Sequence, residues 1–263
     1  MQEAGSEALA PAGDVRLTPT QVIVPDIGRM SEPPISYKRH RFPPETIAHA
    51  VWLYFRFPLS LRLVEEMLLE RGVVVSYETV RCWALKFGPD YARRLKRKRA
   101  SSSDIWHLDE VVVTIRGEKR YLWRAVDQDG YVLDEIVQIH RDTEAAKRLL
   151  VRLLAKQGCR PKRVITDKLG SYAAARKAIM PNVEHRSHKG LNNRAENSHV
   201  PLRKRERQMQ GFRSWPALQR FAQIFSTVRN LFVPPRSRRS ALATHLHRLK
   251  ALAEWKSAAA LAA

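Results

Sequence analysis

At Trp106 the apolar residues change period, and that switch restricts the folds open to this chain. Upstream they recur at helical spacing. From residue 106 to 116 Val and Ile crowd into a strand pattern, Gly117-Glu118 makes a turn, and residues 120–126 form a second strand. Asp127-Gln128-Asp129-Gly130 is a strong hairpin signal leading into a third strand over residues 131–140. The period then returns to helical over residues 143–157, with Ala146, Leu149, Leu150, Leu153 and Leu154 on one face. A short buried strand at 163–166, a helix at 171–179 and a further helix opening at Asn192 complete the series. Three antiparallel strands followed by helix, strand and helices predict an α/β unit, a mixed sheet with helices on its faces.

The preceding segment reads as a small all-α module. Pro43-Pro44 opens a helix carrying Ile47, Val51 and Tyr54, and Pro58 closes it. Ser60 caps a second helix with Leu61, Val64, Met67 and Leu68, which Gly72 stops. Ser76 caps a third, with Val80, Trp83, Ala84 and Phe87 inward, ended by Gly88-Pro89. Two capped helices joined by a tight link describe a helix-turn-helix, with Tyr77, Glu78 and Arg81 projecting from the front of the recognition helix. A plain helical hairpin docked on the next domain is the competing reading. The division expected is a disordered leader at 1–34, the helix-turn-helix domain at 35–89, a basic linker at 90–105, the mixed-sheet domain at 106–232 and a basic, Ala-rich tail at 233–263. Within the mixed-sheet domain, an amphipathic helix from about Ser214 to Leu231 packs on the sheet.

The formal net charge is +21, which points to a polyanionic partner, most simply nucleic acid. The acidic leader is followed by surpluses of bases on both sides of a middle segment that holds half the acids. That distribution suits DNA-holding parts around a carboxylate site. The two cysteines, Cys82 and Cys159, form no CxxC pair, so neither a zinc knuckle nor a disulfide framework is expected. No signal peptide and no membrane-length apolar run are visible, and the reduced cytosol is the expected compartment.

Two acids sit in otherwise apolar strands: Asp109 in His107-Leu108-Asp109-Glu110, and Asp167 in Ile165-Thr166-Asp167-Lys168. Carboxylates are costly there unless they are paired or bind a cation, and two on adjacent central strands repel each other. A divalent ion resolves both problems, and hard oxygen donors suit Mg²⁺, with Mn²⁺ as its substitute. Glu196, on the helix facing the sheet, supplies a third carboxylate. Such a trio can hold two ions about 3.5–4 Å apart and act on a phosphodiester with no nucleophilic side chain. Adjacent strand residues face opposite ways, so Asp109 and Glu110 compete; His107, Asp109 and Val111 share one face, which favours Asp109. Arg203 lies on Glu196's side of its helix, two turns on. Lys168, Arg203, Lys204, Arg207, Tyr77 and Arg81 are the candidate DNA contacts. Asp127 and Asp129 read as turn formers, His185 and His188 as structural histidines, and Tyr172 as a core residue.

The segments Trp106-His107-Leu108-Asp109-Glu110, Tyr121-Leu122-Trp123-Arg124-Ala125-Val126-Asp127, Ile165-Thr166-Asp167-Lys168 and Asn192-Asn193-Arg194-Ala195-Glu196-Asn197-Ser198-His199 together resemble a DDE transposase of a bacterial insertion sequence, in the cointegrate-forming family numbered six. The resemblance covers residues 37–255. It implies a ribonuclease-H-like fold, catalytic and metal-binding roles for Asp109, Asp167 and Glu196, and a DNA contact at Arg203. It also implies binding of terminal inverted repeats through the helix-turn-helix, and homo-oligomers on DNA. The interval from Asp167 to Glu196 is shorter than in the best-known members, so a trimmed loop is expected around Pro181 to Glu184. Two other readings stand beside it: a DNA-binding regulator that has lost chemistry, and a ribonuclease H acting on RNA–DNA hybrids. The acidic trio disfavours the first, and the N-terminal module and Arg-rich helix disfavour the second.

Overall fold

The computed structural model of the protein describes residues 34–95, 100–235 and 240–261. The expected leader up to residue 33, residues 96–99 of the linker and the Arg236-to-Arg239 run of the tail lie outside them.

Three helices come first: α1 (Pro44–Arg56), α2 (Leu61–Leu69) and α3 (Tyr77–Arg94). The two serine caps act as expected. The Ser60 side chain accepts from the Leu63 amide and the Ser76 side chain from the Thr79 amide, each satisfying a donor the helix start leaves open. Gly72, at φ +74°, takes the left-handed conformation that turns the chain after α2.

The expected stop at Gly88-Pro89 is overturned, because α3 continues through Pro89 to Arg94. An interior proline costs a helix about 3 kcal/mol. Packing on both sides of it outweighs that. Phe87 and Tyr91 are fully buried, and Tyr91 meets Trp255 edge-on with ring centroids 5.3 Å apart. Each such side chain contributes about 1.5–3 kcal/mol on burial. Gly88 lies where α3 meets Phe55 of α1; a Cβ there would stand 2.9 Å from a Phe55 ring carbon. Gly88→Leu is therefore expected to lower stability by about 1–3 kcal/mol through overpacking. Urea unfolding at matched m-value checks it, and an unchanged midpoint would show that the contact relaxes at no cost.

The sheet order is β3-β2-β1-β4-β5. Strands β1 (Ile105–Ile115), β2 (Glu118–Val126) and β3 (Val132–Gln138) form an antiparallel meander. After α4 (Thr143–Gln157), β4 (Arg163–Thr166) returns parallel to β1, with His107 opposite Ile165. Helix α5 (Gly170–Ile179) follows, then β5 (Glu184–Ser187), parallel to β4. A short loop around Pro181 joins α5 to β5, where a trimmed loop was expected, and an edge strand follows it. Its four residues, Glu184-His185-Arg186-Ser187, are all polar, so no apolar alternation announced it. The last helices are α6 (Asn193–Gln208), α7 (Trp215–Phe232) and α8 (Ala241–Ala258).

Alternation along β1 assigns its side chains to two layers. Trp106 and Leu108 join Trp123, Leu149, Leu153 and Tyr172 in a core beneath α4 and α5. Val113 and Ile115 face the opposite way, into a core that includes residues of α1, α3, α7 and α8. The N-terminal helices and the sheet thus share one apolar core, and residues 35–263 make one compact unit. This is a mixed sheet between helical layers, the ribonuclease-H-like arrangement.

Candidate active site

The alternation on β1 decides between Asp109 and Glu110. Asp109 faces α6, where His199 Nε2 stands 3.4 Å from its Oδ2. Glu110 faces α5, accepting from the Tyr172 hydroxyl at 2.7 Å and pairing with Arg141 at 2.5 Å. Asp167 sits just past β4. Its Oδ1 accepts the Leu169 amide at 3.0 Å, and the Ser187 hydroxyl holds its backbone carbonyl at 2.7 Å. Arg141 also reaches Asp167 at 3.8 Å, so one guanidinium lies between Glu110 and Asp167. Glu196 is exposed in the first turn of α6.

These acids sense one another. Burial, and then the charges of Glu110, Asp167 and Glu196, push the Asp109 carboxyl up to about 7. Burial likewise raises Glu110, against the pull of its bonds to Tyr172 and Arg141. His199 is driven well below the ordinary histidine range by burial, with Arg124 and Arg203 adding to it, so it is a neutral ring beside Asp109. Four carboxyl groups lie near one end of the sheet, Asp109 and Glu110 on opposite faces of β1. Hard oxygen donors carrying surplus negative charge are a set that a divalent cation fits. Among the described residues, no three His, Cys, Asp or Glu side chains already stand close enough to cage an ion.

The candidate DNA contacts divide. Tyr77, Lys168, Lys204 and Arg207 are exposed. Arg81 is exposed and held by Glu78 through bonds of 2.8 and 2.5 Å. Arg203 is engaged within the fold, donating to the Val112 carbonyl and pairing with Glu206 at 2.8 Å. Asp127 forms its turn by accepting the Asp129 and Tyr131 amides. His185 bonds Thr166 at 2.9 Å, and Tyr172 is buried.

Four further residues shape the site without having been singled out for it. Asn192 ties the start of α6 to β1 through Nδ2 and the Leu108 carbonyl, 2.9 Å apart. Arg124 reaches α6 from β2. His199 and Arg141 face the carboxylates. Asn192 and His199 lie in the motif around Glu196, and Arg124 in the motif of the second strand. Arg141 has no sequence signal, because its place depends on how β3 meets α4.

A family model described as a DDE domain matches residues 103–233. The transposase for insertion sequence-like element IS431mec of Staphylococcus aureus is 33% identical over 182 residues, spanning 67% of this chain and 81% of the relative. The Staphylococcus aureus transposase for insertion sequence element IS257 in transposon Tn4003 is 32% identical over the same length. The HTLV-2 integrase catalytic core domain, solved in complex with magnesium, superposes with a TM-score of 0.40 at 16% identity, covering 56% of this chain and 99% of that one. With the relatives' sequences matched over four-fifths of their length and the acids gathered at one end of the sheet, the chain belongs to the DDE transposases of bacterial insertion sequences, in the family numbered six, enzymes that cleave and transfer DNA.

Proposed function

We propose that this transposase binds the terminal inverted repeats of its element through α2 and α3, and cleaves and joins DNA strands at Asp109, Asp167 and Glu196. The observation that supports this most directly is the placement of the three acids: Asp109 on β1, Asp167 just past β4, the strand paired parallel to β1, and Glu196 in the first turn of α6, the helix that Asp109 faces. The family depends on divalent metal ions. Here Asp109, Asp167 and Glu196 are the residues that would hold Mg²⁺, two ions in our reading. When bound, the metal supplies Lewis-acid stabilisation of the charge on the attacking and departing oxygens of a phosphodiester.

The chain's own residues do the rest. Lys168, on the residue after Asp167, and the exposed Lys204 and Arg207 of α6 hold phosphates beside the carboxylates. Arg203 is added to them when DNA draws it from Val112. Tyr77 and Arg81 project from the first turns of α3 toward a groove. Residues 35–89 are thus the DNA-reading part and residues 106–232 the catalytic part, acting in a homo-oligomer that brings two DNA ends together.

Binding and joining of duplexes carrying the element's own ends test the assignment. Arg81→Ala is expected to weaken binding to the repeat by about 5- to 150-fold and to relax sequence preference. Lys204→Ala is expected to weaken binding alike on all sequences and to reduce its salt dependence. Equal binding of repeat and scrambled duplexes by the wild type would defeat the helix-turn-helix assignment. Repeat binding with no joining in Mg²⁺ or Mn²⁺ would favour the regulator reading.

A further inference from the structure

Helix α6 carries Glu196, yet little apolar surface holds it. Of its buried residues, Ala195, Ser198, His199, Leu202 and Arg205, two are apolar. Pro201 lies inside it and has no amide for the Asn197 carbonyl. Its placement therefore depends on polar anchors. Asn192 bonds the Leu108 carbonyl, Arg203 the Val112 carbonyl and Arg205 the Leu59 carbonyl.

The remaining anchor is of a different kind. Arg124 stands directly across the β1–β2 ladder from Asp109, and Glu135 directly across the next ladder from Arg124. Arg124 and Glu135 are almost wholly buried, with 1% and 3% of their side chains exposed. Glu135 Oε2 accepts from Arg124 Nε at 2.9 Å and from Nη2 at 2.7 Å. The third corner of the guanidinium, Nη1, donates to the Ser198 carbonyl at 2.5 Å, two residues past Glu196. With Nε and Nη2 held by a buried carboxylate, the planar cation turns its Nη1 corner to α6, so it acts as a stiff strut from Asp109's neighbouring strand to Glu196's helix.

We propose that Arg124 is a positioning residue: it fixes where Glu196 stands relative to Asp109, with Glu135 as the buried group that orients it. The proposal rests on the assignment of Asp109, Asp167 and Glu196 made above. Removing Arg124 alone strands the Glu135 charge and endangers folding, whereas replacing a buried ion pair by apolar residues of similar volume is commonly neutral or stabilising. The test is therefore the full-length double variant Arg124→Met with Glu135→Leu.

Its thermal midpoint in EDTA is expected within about 5 °C of wild type, and its binding to a repeat-end duplex within about 3-fold, since a matched apolar pair keeps the fold. The Mn²⁺ concentration that gives half the metal-induced rise in midpoint is expected to increase about 10- to 100-fold, and strand joining to fall by a similar factor. In a Glu196→Gln background the double variant should change the metal response no further, because Arg124 acts through Glu196. If the double variant unfolds, Arg124→Lys, which keeps a charge for Glu135 but loses the three-cornered fork, is read by the same metal titration. Wild-type metal response and joining in the folded variant overturns the proposal, as does an effect that adds in full to that of Glu196→Gln. If Glu196→Gln itself responds to metal as wild type does, the site assignment fails first and Arg124 has nothing to position.

Discussion

Asp109→Asn, Asp167→Asn and Glu196→Gln each lower strand joining by at least about 10³-fold while leaving binding of a repeat-end duplex close to wild type. The size follows from the chemistry. Phosphodiester cleavage by carboxylate-held ions has no covalent nucleophile to fall back on, and loss of a single well-placed electrostatic group in an active site already costs about 10²–10³-fold. Binding is spared because the exposed bases at Arg81, Lys168, Lys204 and Arg207 are untouched. Glu110→Gln is the informative control. Glu110 faces α5 and is held by Tyr172 and Arg141, so its substitution should disturb joining far less. Gel-resolved joining of a pre-nicked end into plasmid DNA, beside a binding titration, measures both quantities. Joining within about tenfold of wild type by any one of the three variants would remove that residue from the site.

The second large effect is on stability. In metal-free protein Asp109→Asn is expected to stabilise the fold by about 2–4 kcal/mol at pH 8 and by almost nothing at pH 4. The sign follows from where the proton sits. Below the ordinary aspartate value both folded and unfolded chains keep it, and Asp109 carries no penalty. Between that value and about 7 the unfolded chain releases the proton while burial and three neighbouring carboxylates keep it on the folded one. The unfolded state then binds fewer protons, so wild-type stability falls as pH rises. Above about 7 the folded carboxylate is ionised and the penalty is complete. Asparagine removes Asp109's part of this slope. Mg²⁺ should do the same for the wild type at pH 8 and little at pH 4, where Asp109 holds its proton. Urea unfolding of both proteins in EDTA across this range is the measurement. A difference that does not change with pH would show that Asp109 does not feel its neighbours.

Much of this was legible in the sequence because it rests on local signals. Ser60 and Ser76 cap their helices, Asp127 forms its turn, and residues 143–157 and 163–166 fall where their period put them. The facing of Asp109 away from Glu110 follows from the two-residue repeat of a strand. What escaped was decided by distant contacts. Pro89 reads as a helix end until Tyr91 is seen against Trp255. Residues 184–187 carry no strand signal, because an edge strand of polar residues needs only the backbone of β4.

By itself the sequence determined which acids occupy costly positions and which elements carry them, since periodicity and the expense of a carboxylate in an apolar strand are properties of the chain. The tertiary structure decided how those acids feel one another. A carboxyl pushed to about 7, a neutral His199 beside it and an Arg124 aimed at the Glu196 helix arise only when β1, β2, β4 and α6 exclude water from the same place. Electrostatic coupling depends on distance and desolvation, and neither exists until the chain has folded.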